Sequence, residues 1–271
     1  MNMKNKFKIV FVLFTIIMST TTTYFVFGEK YNKDVCITAH RGSSTFYPEN
    51  TLLSIGEAIN ENADYVEIDV RTTKDNYVVL FHDDNLKRIG DSKKEIKDMT
   101  LKEVKEIDAG YYKDKLFKGE EIPTLEEVFE KYKGKIKFNI ELKITNKNDV
   151  LPEKVAQLIH KYNMNNDVIV TSFDKDTIEN YKKQNPASKT GLIISKNIED
   201  IENINCDLIS LNYNLLAKEL VEKLHKNNKE VYVWTLNNTN RINHAIDLDV
   251  DNIITNNVTL AKGILRYKSE K

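Results

Sequence analysis

CITAHRGSSTFYPENTLLSIGEAINENADYVEIDVRTTKDNYVVLFHDD, Cys36 to Asp84, holds two histidines and two carboxylates, each beside or within an apolar run that reads as a buried strand. Side chains at i and i+2 leave a strand on the same face. Glu67 and Asp69 in YVEIDV therefore point one way, and Val66, Ile68 and Val70 point the other. By the same count Thr38 pairs with His40, and His82 shares a face with Leu80 and Val78. A buried carboxylate pair with no positive partner is expensive. Hard divalent cations such as Ca²⁺ or Mg²⁺ take carboxylate and water oxygens, whereas imidazole and thiolate suit zinc better.

An isolated Glu-x-Asp is more often a solvent-facing strand edge. A second run, KIKFNIELKI at 135–144, weakens that reading because it repeats the pattern: Asn139, Glu141 and Lys143 fall on one face, Phe138, Ile140 and Leu142 on the other. Three carboxylates on two strands make a metal seat, with Lys143 beside it as an anion partner.

The runs HRGSSTFYPENT, DYVEIDVRTTKDNYVVLFHDDNLKR, IPTLEEVFE, NIELK, TSFD and VYVWTLN, in that order and covering nearly everything after about Val35, resemble the glycerophosphodiester phosphodiesterase family. The resemblance implies an α/β fold, a TIM-like (β/α)8 barrel spanning 35–268, that hydrolyses glycerophosphodiesters to glycerol 3-phosphate and an alcohol. It implies His40 and His82 as the catalytic acid and base, and one divalent metal, Ca²⁺ or Mg²⁺, on Glu67, Asp69 and Glu141. Arg41 and Lys143 are expected to meet phosphate, where a planar guanidinium can bond two oxygens. Trp234, at a strand end, is expected to stack on the glycerol moiety, and Phe173 to a lesser extent. Glu49 and Asn50 are expected as supporting residues, Glu49 in a salt bridge, with Asn50 or Thr51 the N-cap of the helix that follows.

A chain of 271 residues fits one barrel of about 250 residues. With Lys+Arg 40 against Asp+Glu 41 and a net charge of −1, no basic excess points to nucleic acid. Two cysteines, Cys36 and Cys206, are too few for a disulfide framework and read as free, buried thiols. Lys4, Lys6 and Lys8 precede an uncharged run, Ile9–Phe27, which as a helix is about 28 Å long, enough to cross a bilayer. Residues 1–28 are thus expected to be a signal peptide or a hydrophobic membrane-anchoring helix, with the catalytic domain extracytoplasmic.

Nine strand-like runs follow Val35, one more than a barrel needs. The runs at 65–70 and 77–82 are joined by too few residues for a crossover helix, so 65–82 is expected to be one irregular element. Residues 83–122 read as a small charged insertion beside the substrate groove, with Tyr111, Tyr112 and Phe117 its candidate substrate contacts. Helices and strands then alternate to the end, including a short helix at 198–203, with His160, His225 and His244 on exposed helical faces. Two alternatives to the soluble-substrate hydrolase are a lysophospholipase D acting on membrane lysolipids and an inactive, tethered binding protein.

Overall fold

A computed structural model of the chain describes residues 35–90, 92–146 and 149–270. The signal peptide or anchor expected at 1–28 lies outside these residues. Among those described, no helix is long and apolar enough to cross a membrane.

Eight parallel strands close into a barrel: β1 Cys36–His40, β2 Tyr65–Thr72, β4 Lys137–Leu142, β5 Val168–Ser172, β6 Lys189–Ile194, β7 Leu208–Asn212, β8 Glu230–Trp234 and β9 Asn252–Thr255. Neighbours pair in chain order, β1 pairs with both β9 and β2, and the ring is complete. The ninth run, β3 Val78–Leu80, lies antiparallel on the far end of β2, with Val70 opposite Leu80 and Thr72 opposite Val78. The doubled-back hairpin resolves the irregularity at 65–82. Its turn is held by Thr73, whose Oγ1 donates to Asp75 and accepts from the Tyr77 amide, with Asn76 at φ 65°.

Outward side chains of the strands form the main core against the surrounding helices: Ile37, Ala39, Val66, Ile68, Val70, Phe138 and Ile140 are all fully buried. These helices are α1 Leu52–Asn60, α3 Leu125–Tyr132, α4 Leu151–Lys161, α5 Lys175–Gln184, α6 Lys218–Lys226, α7 Thr239–Asp247 and α8 Val258–Ser269. Between β6 and β7 the expected helix at 198–203 is a single 3-10 turn, Ile201–Asn203, because its only deeply buried apolar anchors there are Ile201 and Ile204.

Inside the barrel a smaller apolar layer of Ile169, Leu208, Tyr232 and Ile254, with Tyr65 and Trp234 against it, fills the floor. Above it the lumen turns polar. Thr38 Oγ1 donates to Asn252 Oδ1 at 2.7 Å, and Thr171 Oγ1 to Asn139 Oδ1 at 2.9 Å, so both buried hydroxyls are paired.

The 83–122 segment is more than a solvated loop. It carries α2 Leu101–Lys105 and its own apolar cluster of Leu86, Ile96, Met99, Val104, Ala109 and Ile122, built on Val79 and Phe81 of the β3 region. Both cysteines are free, as expected, but Cys36 is only half-buried, being near the open floor of the barrel. His160 and His244 are exposed. His225 is half-buried instead, with Nε2 2.8 Å from Asp251 Oδ2.

Candidate active site

The strand register brings the acid trio together. His40 pairs with Glu67, Glu67 with Asn139, and Asp69 with Glu141, so all four site residues stand at adjacent strand positions on the inner wall. One oxygen from each of Glu67, Asp69 and Glu141 lies within 4.8 Å of the others, and all three side chains are buried. His82 reaches the same mouth through the hairpin: the Phe81 amide donates to the Asp69 carbonyl at 3.0 Å, and β3 hands the next residue back over the barrel. His40, Arg41, Glu67, His82, Glu141 and Lys143 line one pocket with Phe173 and Trp234.

Arg41 sits in the left-handed region at φ 59°, followed by Gly42 at φ 82°. Such a conformation costs a non-glycine residue about 1 kcal/mol or more. Three bonds offset it: the Arg41 amide donates to Glu67 Oε2 at 2.9 Å, and its carbonyl accepts from the Asn50 amide and Ser54 Oγ at 3.0 and 3.1 Å. The Arg41 side chain binds Glu49 Oε1 through Nη1 at 2.8 Å, with Nε 3.3 Å from Asp69 Oδ2.

Asn50 is not the cap of α1; Thr51 is, in a reciprocal capping box with Ser54. Asn50 instead clamps the second carboxylate, donating from Nδ2 to Asp69 Oδ2 at 2.8 Å and accepting the Asp69 amide at 3.1 Å. Lys143 Nζ stands 3.0 Å from Asp69 Oδ1 and is hydrogen-bonded to Glu141 Oε1.

Three buried carboxylates thus face two cations. Burial, then repulsion from Asp69 and Glu141, drives the Glu67 carboxyl well above the ordinary glutamate range. Burial and Asp69 push Glu141 up to about 7, against the pull of Lys143. Asp69 alone is held well below its usual range: burial opposes its charge, but Lys143 and Arg41 outweigh burial. Glu67 Oε1 is buried without a hydrogen-bond partner. An orphaned carboxylate oxygen in an all-oxygen donor set that lacks positive charge fits a hard divalent cation.

His40 Nδ1 bonds Asn256 Oδ1 at 2.6 Å, which directs Nε2 inward to 4.0 Å from Glu67 Oε2. His82 Nδ1 bonds Asp83 Oδ1 at 2.7 Å. Both oxygens accept, so each ring carries its proton on Nδ1 and presents Nε2 to the pocket. Burial, then the Arg41 charge, lowers His40 to about 4. Burial also lowers His82, partly countered by Asp69. Burial thus favours the neutral form of both imidazoles in the ligand-free site.

Phe173 and Trp234 meet edge to face, centroids 5.7 Å apart, and Trp234 Nε1 donates to the Ser210 carbonyl at 3.1 Å. Beyond His82 a cleft of ≈ 790 Å³ runs past Arg71, Lys87, Arg88, Phe173 and Asp174. Of the three aromatic candidates on the insertion, Tyr112 accepts the Glu49 amide at 3.2 Å, Phe117 packs on Tyr47 at 5.8 Å, and Tyr111 is exposed. None of them lines the pocket.

Three contributors escaped the sequence reading. Asn256 belongs to NIITNN, in the short link between β9 and α8. Asp83 and Arg88 sit in HDDNLKR, at the start of the charged insertion, where charges of mixed sign single out neither residue. Asp83's position directly after His82 is a usable signal; Arg88's other partner, Glu49, lies 39 residues away in sequence and leaves none.

The glycerophosphoryl diester phosphodiesterase family model matches residues 40–260. A glycerophosphodiester phosphodiesterase of Caldanaerobacter subterraneus is 34% identical over 226 residues, covering 81% of this chain and 93% of that protein. A human lysophospholipase D is 26% identical over 269 residues, 84% of this chain and 85% of its own. The structure of an Oleispira antarctica phosphodiesterase in complex with the product sn-glycerol-3-phosphate superposes with a TM-score of 0.80 at 25% identity, covering 85% of this chain and 96% of that one. With the match running from the first histidine through the last barrel strand, the chain belongs to the glycerophosphoryl diester phosphodiesterase family.

Proposed function

We propose that the chain hydrolyses glycerophosphodiesters to glycerol 3-phosphate and an alcohol, using His40 and His82 as the proton-transfer pair. The observation that carries this reading is the convergence of two Nε2-presenting imidazoles with the buried acid trio at one barrel mouth. The product complex of the Oleispira relative supports the substrate class.

Glu67, Asp69 and Glu141 are the residues that hold the divalent cation, Ca²⁺ or Mg²⁺, which when bound supplies charge to the phosphoryl oxygens. Arg41 and Lys143, anchored on the same carboxylates, face the non-bridging oxygens and stabilise charge as it develops there. One imidazole accepts the proton of the attacking hydroxyl, and the other donates to the departing alkoxide. Burial disfavours charge on either ring, and the anionic phosphodiester, as it enters, favours the protonated form of the donating one. Trp234 and Phe173 form the apolar wall against which the glycerol carbons rest. The alcohol leaves toward the cleft beyond His82. Residues 1–28, as a signal peptide or a membrane anchor, direct the barrel out of the cytoplasm.

A second reading, lysophospholipase D activity on membrane lysolipids, is favoured by the size of that cleft, its exposed Phe173 and the likeness to the human enzyme. A panel of glycerophosphocholine, glycerophosphoethanolamine and lysophosphatidylcholine, assayed for glycerol 3-phosphate and lysophosphatidate, separates the two. Preferential release of glycerol 3-phosphate supports the first reading; lysophosphatidate alone replaces it with the second. A folded protein inert on all three counts against both hydrolase readings. His40→Ala and His82→Ala are each expected to lower kcat by about 10²–10⁴ with the far-UV spectrum unchanged.

A further inference from the structure

Arg88 lies outside the catalytic pocket, on the wall of the adjoining cleft, and yet its guanidinium touches the supports of two pocket residues. Nε donates to Asp83 Oδ2 at 2.8 Å, while Nη1 and Nη2 donate to Glu49 Oε2 and Oε1 at 2.9 and 2.7 Å. Beyond Asp83 stands the His82 ring, 2.7 Å away, and beyond Glu49 stands Arg41 Nη1, 2.8 Å away. Charges alternate along the whole line, Asp83, Arg88, Glu49, Arg41, Asp69. Tyr112 closes it from below, its ring 5.7 Å from the Arg88 guanidinium carbon and its hydroxyl on the Glu49 amide.

We propose that Arg88 is a positioning residue that aligns the His82 imidazole and the Arg41 guanidinium together, acting through Asp83 and Glu49. The proposal rests on the phosphodiesterase reading above. Asp83 and Glu49 lie on different chain segments, one after β3 and the other before α1. A planar fork that binds both fixes their separation, and with it the separation of the imidazole from the phosphate-facing guanidinium. Without Arg88, Asp83 keeps one bonded oxygen and rotates with its histidine. Glu49, relieved of one cation, draws Arg41 toward itself and away from Asp69. A lysine cannot replace the fork, because one ammonium cannot hold an acceptor beside Nε and two more across Nη1 and Nη2. An error of about 1 Å in such a pair costs about 10²-fold in turnover.

The test uses the full-length chain and the variants Arg88→Lys, Arg88→Gln, Asp83→Asn and the Arg88→Lys/Asp83→Asn double. Two readouts are taken: the ¹⁵N shifts of the His82 ring without ligand at about pH 8, where the imidazole is neutral, and kcat and KM on glycerophosphocholine. In the parent chain His82 is expected to show a single Nδ1–H tautomer. Folded Arg88→Lys is expected to show a tautomer mixture and a kcat lower by about 10–100-fold. Its loss is not additive with Asp83→Asn: the double falls within about 2-fold of the worse single variant. Arg88→Gln, which keeps a planar donor without the charge, decides the matter if Arg88→Lys does not fold. An unchanged His82 tautomer in a folded variant, or fully additive losses, would overturn the proposal. If the parent chain releases no glycerol 3-phosphate, the functional reading fails, and the ring-nitrogen measurement still decides the positioning.

Discussion

At the scale of the residue, the site depends on a backbone conformation that few side chains accept. Gly42 follows Arg41 in the left-handed region, and a Cβ built on it falls 2.4 Å from Ser54 Oγ and 2.6 Å from the Ser54 carbonyl carbon. Neither backbone can retreat, since Ser54 belongs to the capping box of α1. Gly42→Ala is expected to cost about 1–3 kcal/mol in denaturant unfolding and to lower turnover, because the turn that aims the Arg41 amide at Glu67 must open. A variant with unchanged unfolding midpoint and unchanged kcat would contradict this account of the turn. Cys36, His225 and Asn50 show why residue-level reading stops short. Periodicity assigns a face, but the neighbour met on that face comes from another strand or loop.

At the scale of the element, α3 shows how the insertion is tied to the barrel. Thr124 and Glu127 form a reciprocal cap, with Glu127 Oε2 accepting the Thr124 amide at 2.7 Å, and Lys105 Nζ of α2 binds the same oxygen at 2.6 Å. Burial opposes the Glu127 charge, but the Lys105 and Thr124 bonds prevail and hold its carboxyl below the usual value of 4.5. A depressed carboxyl pKa stabilises the fold above the unfolded value, and that contribution disappears as pH falls through the folded one. Glu127→Gln keeps an amide oxygen for the Thr124 N–H and is therefore expected to lower stability by about 0.5 kcal/mol at neutral pH, from the weaker, uncharged acceptor. The half-exposed Lys105 pair adds little after solvent screening. The difference between the two proteins should shrink toward zero below about pH 4. Thermal melts of both across that range check it; a gap that persists at low pH assigns the effect to packing.

At the scale of the whole molecule, the barrel gathers negative charge faster than its own cations neutralise it. Glu67 and Glu141 sit high because three buried carboxylates share Arg41 and Lys143. A divalent ion is then expected to stabilise the fold as well as to support turnover. At 100 times its dissociation constant the gain is about 2.7 kcal/mol. Differential scanning calorimetry of the full chain with Mg²⁺ or Ca²⁺, against the same chain in chelator, reads this as a rise in Tm. Glu141→Ala should abolish that rise. Equal melting temperatures with and without ion in the parent chain would remove the acid trio as a metal seat.

The sequence by itself determined the barrel and most of its chemistry. Period-2 alternation in β1, β2 and β4 aimed His40, Glu67, Asp69 and Glu141 to one face, and eight repeats of strand and connection left few other closures. The doubled strand at 65–82 was legible as an irregularity because the six residues between its two runs cannot span a parallel crossover. Only the tertiary structure decided the rest. The antiparallel β3 returns His82 to the mouth, Asn256 and Asp83 choose the ring nitrogen each histidine presents, and Arg88 joins Glu49 to Asp83. These are contacts between segments distant along the chain or between a loop and its neighbour. Local pattern records the direction of a side chain but not the partner that packing brings to it.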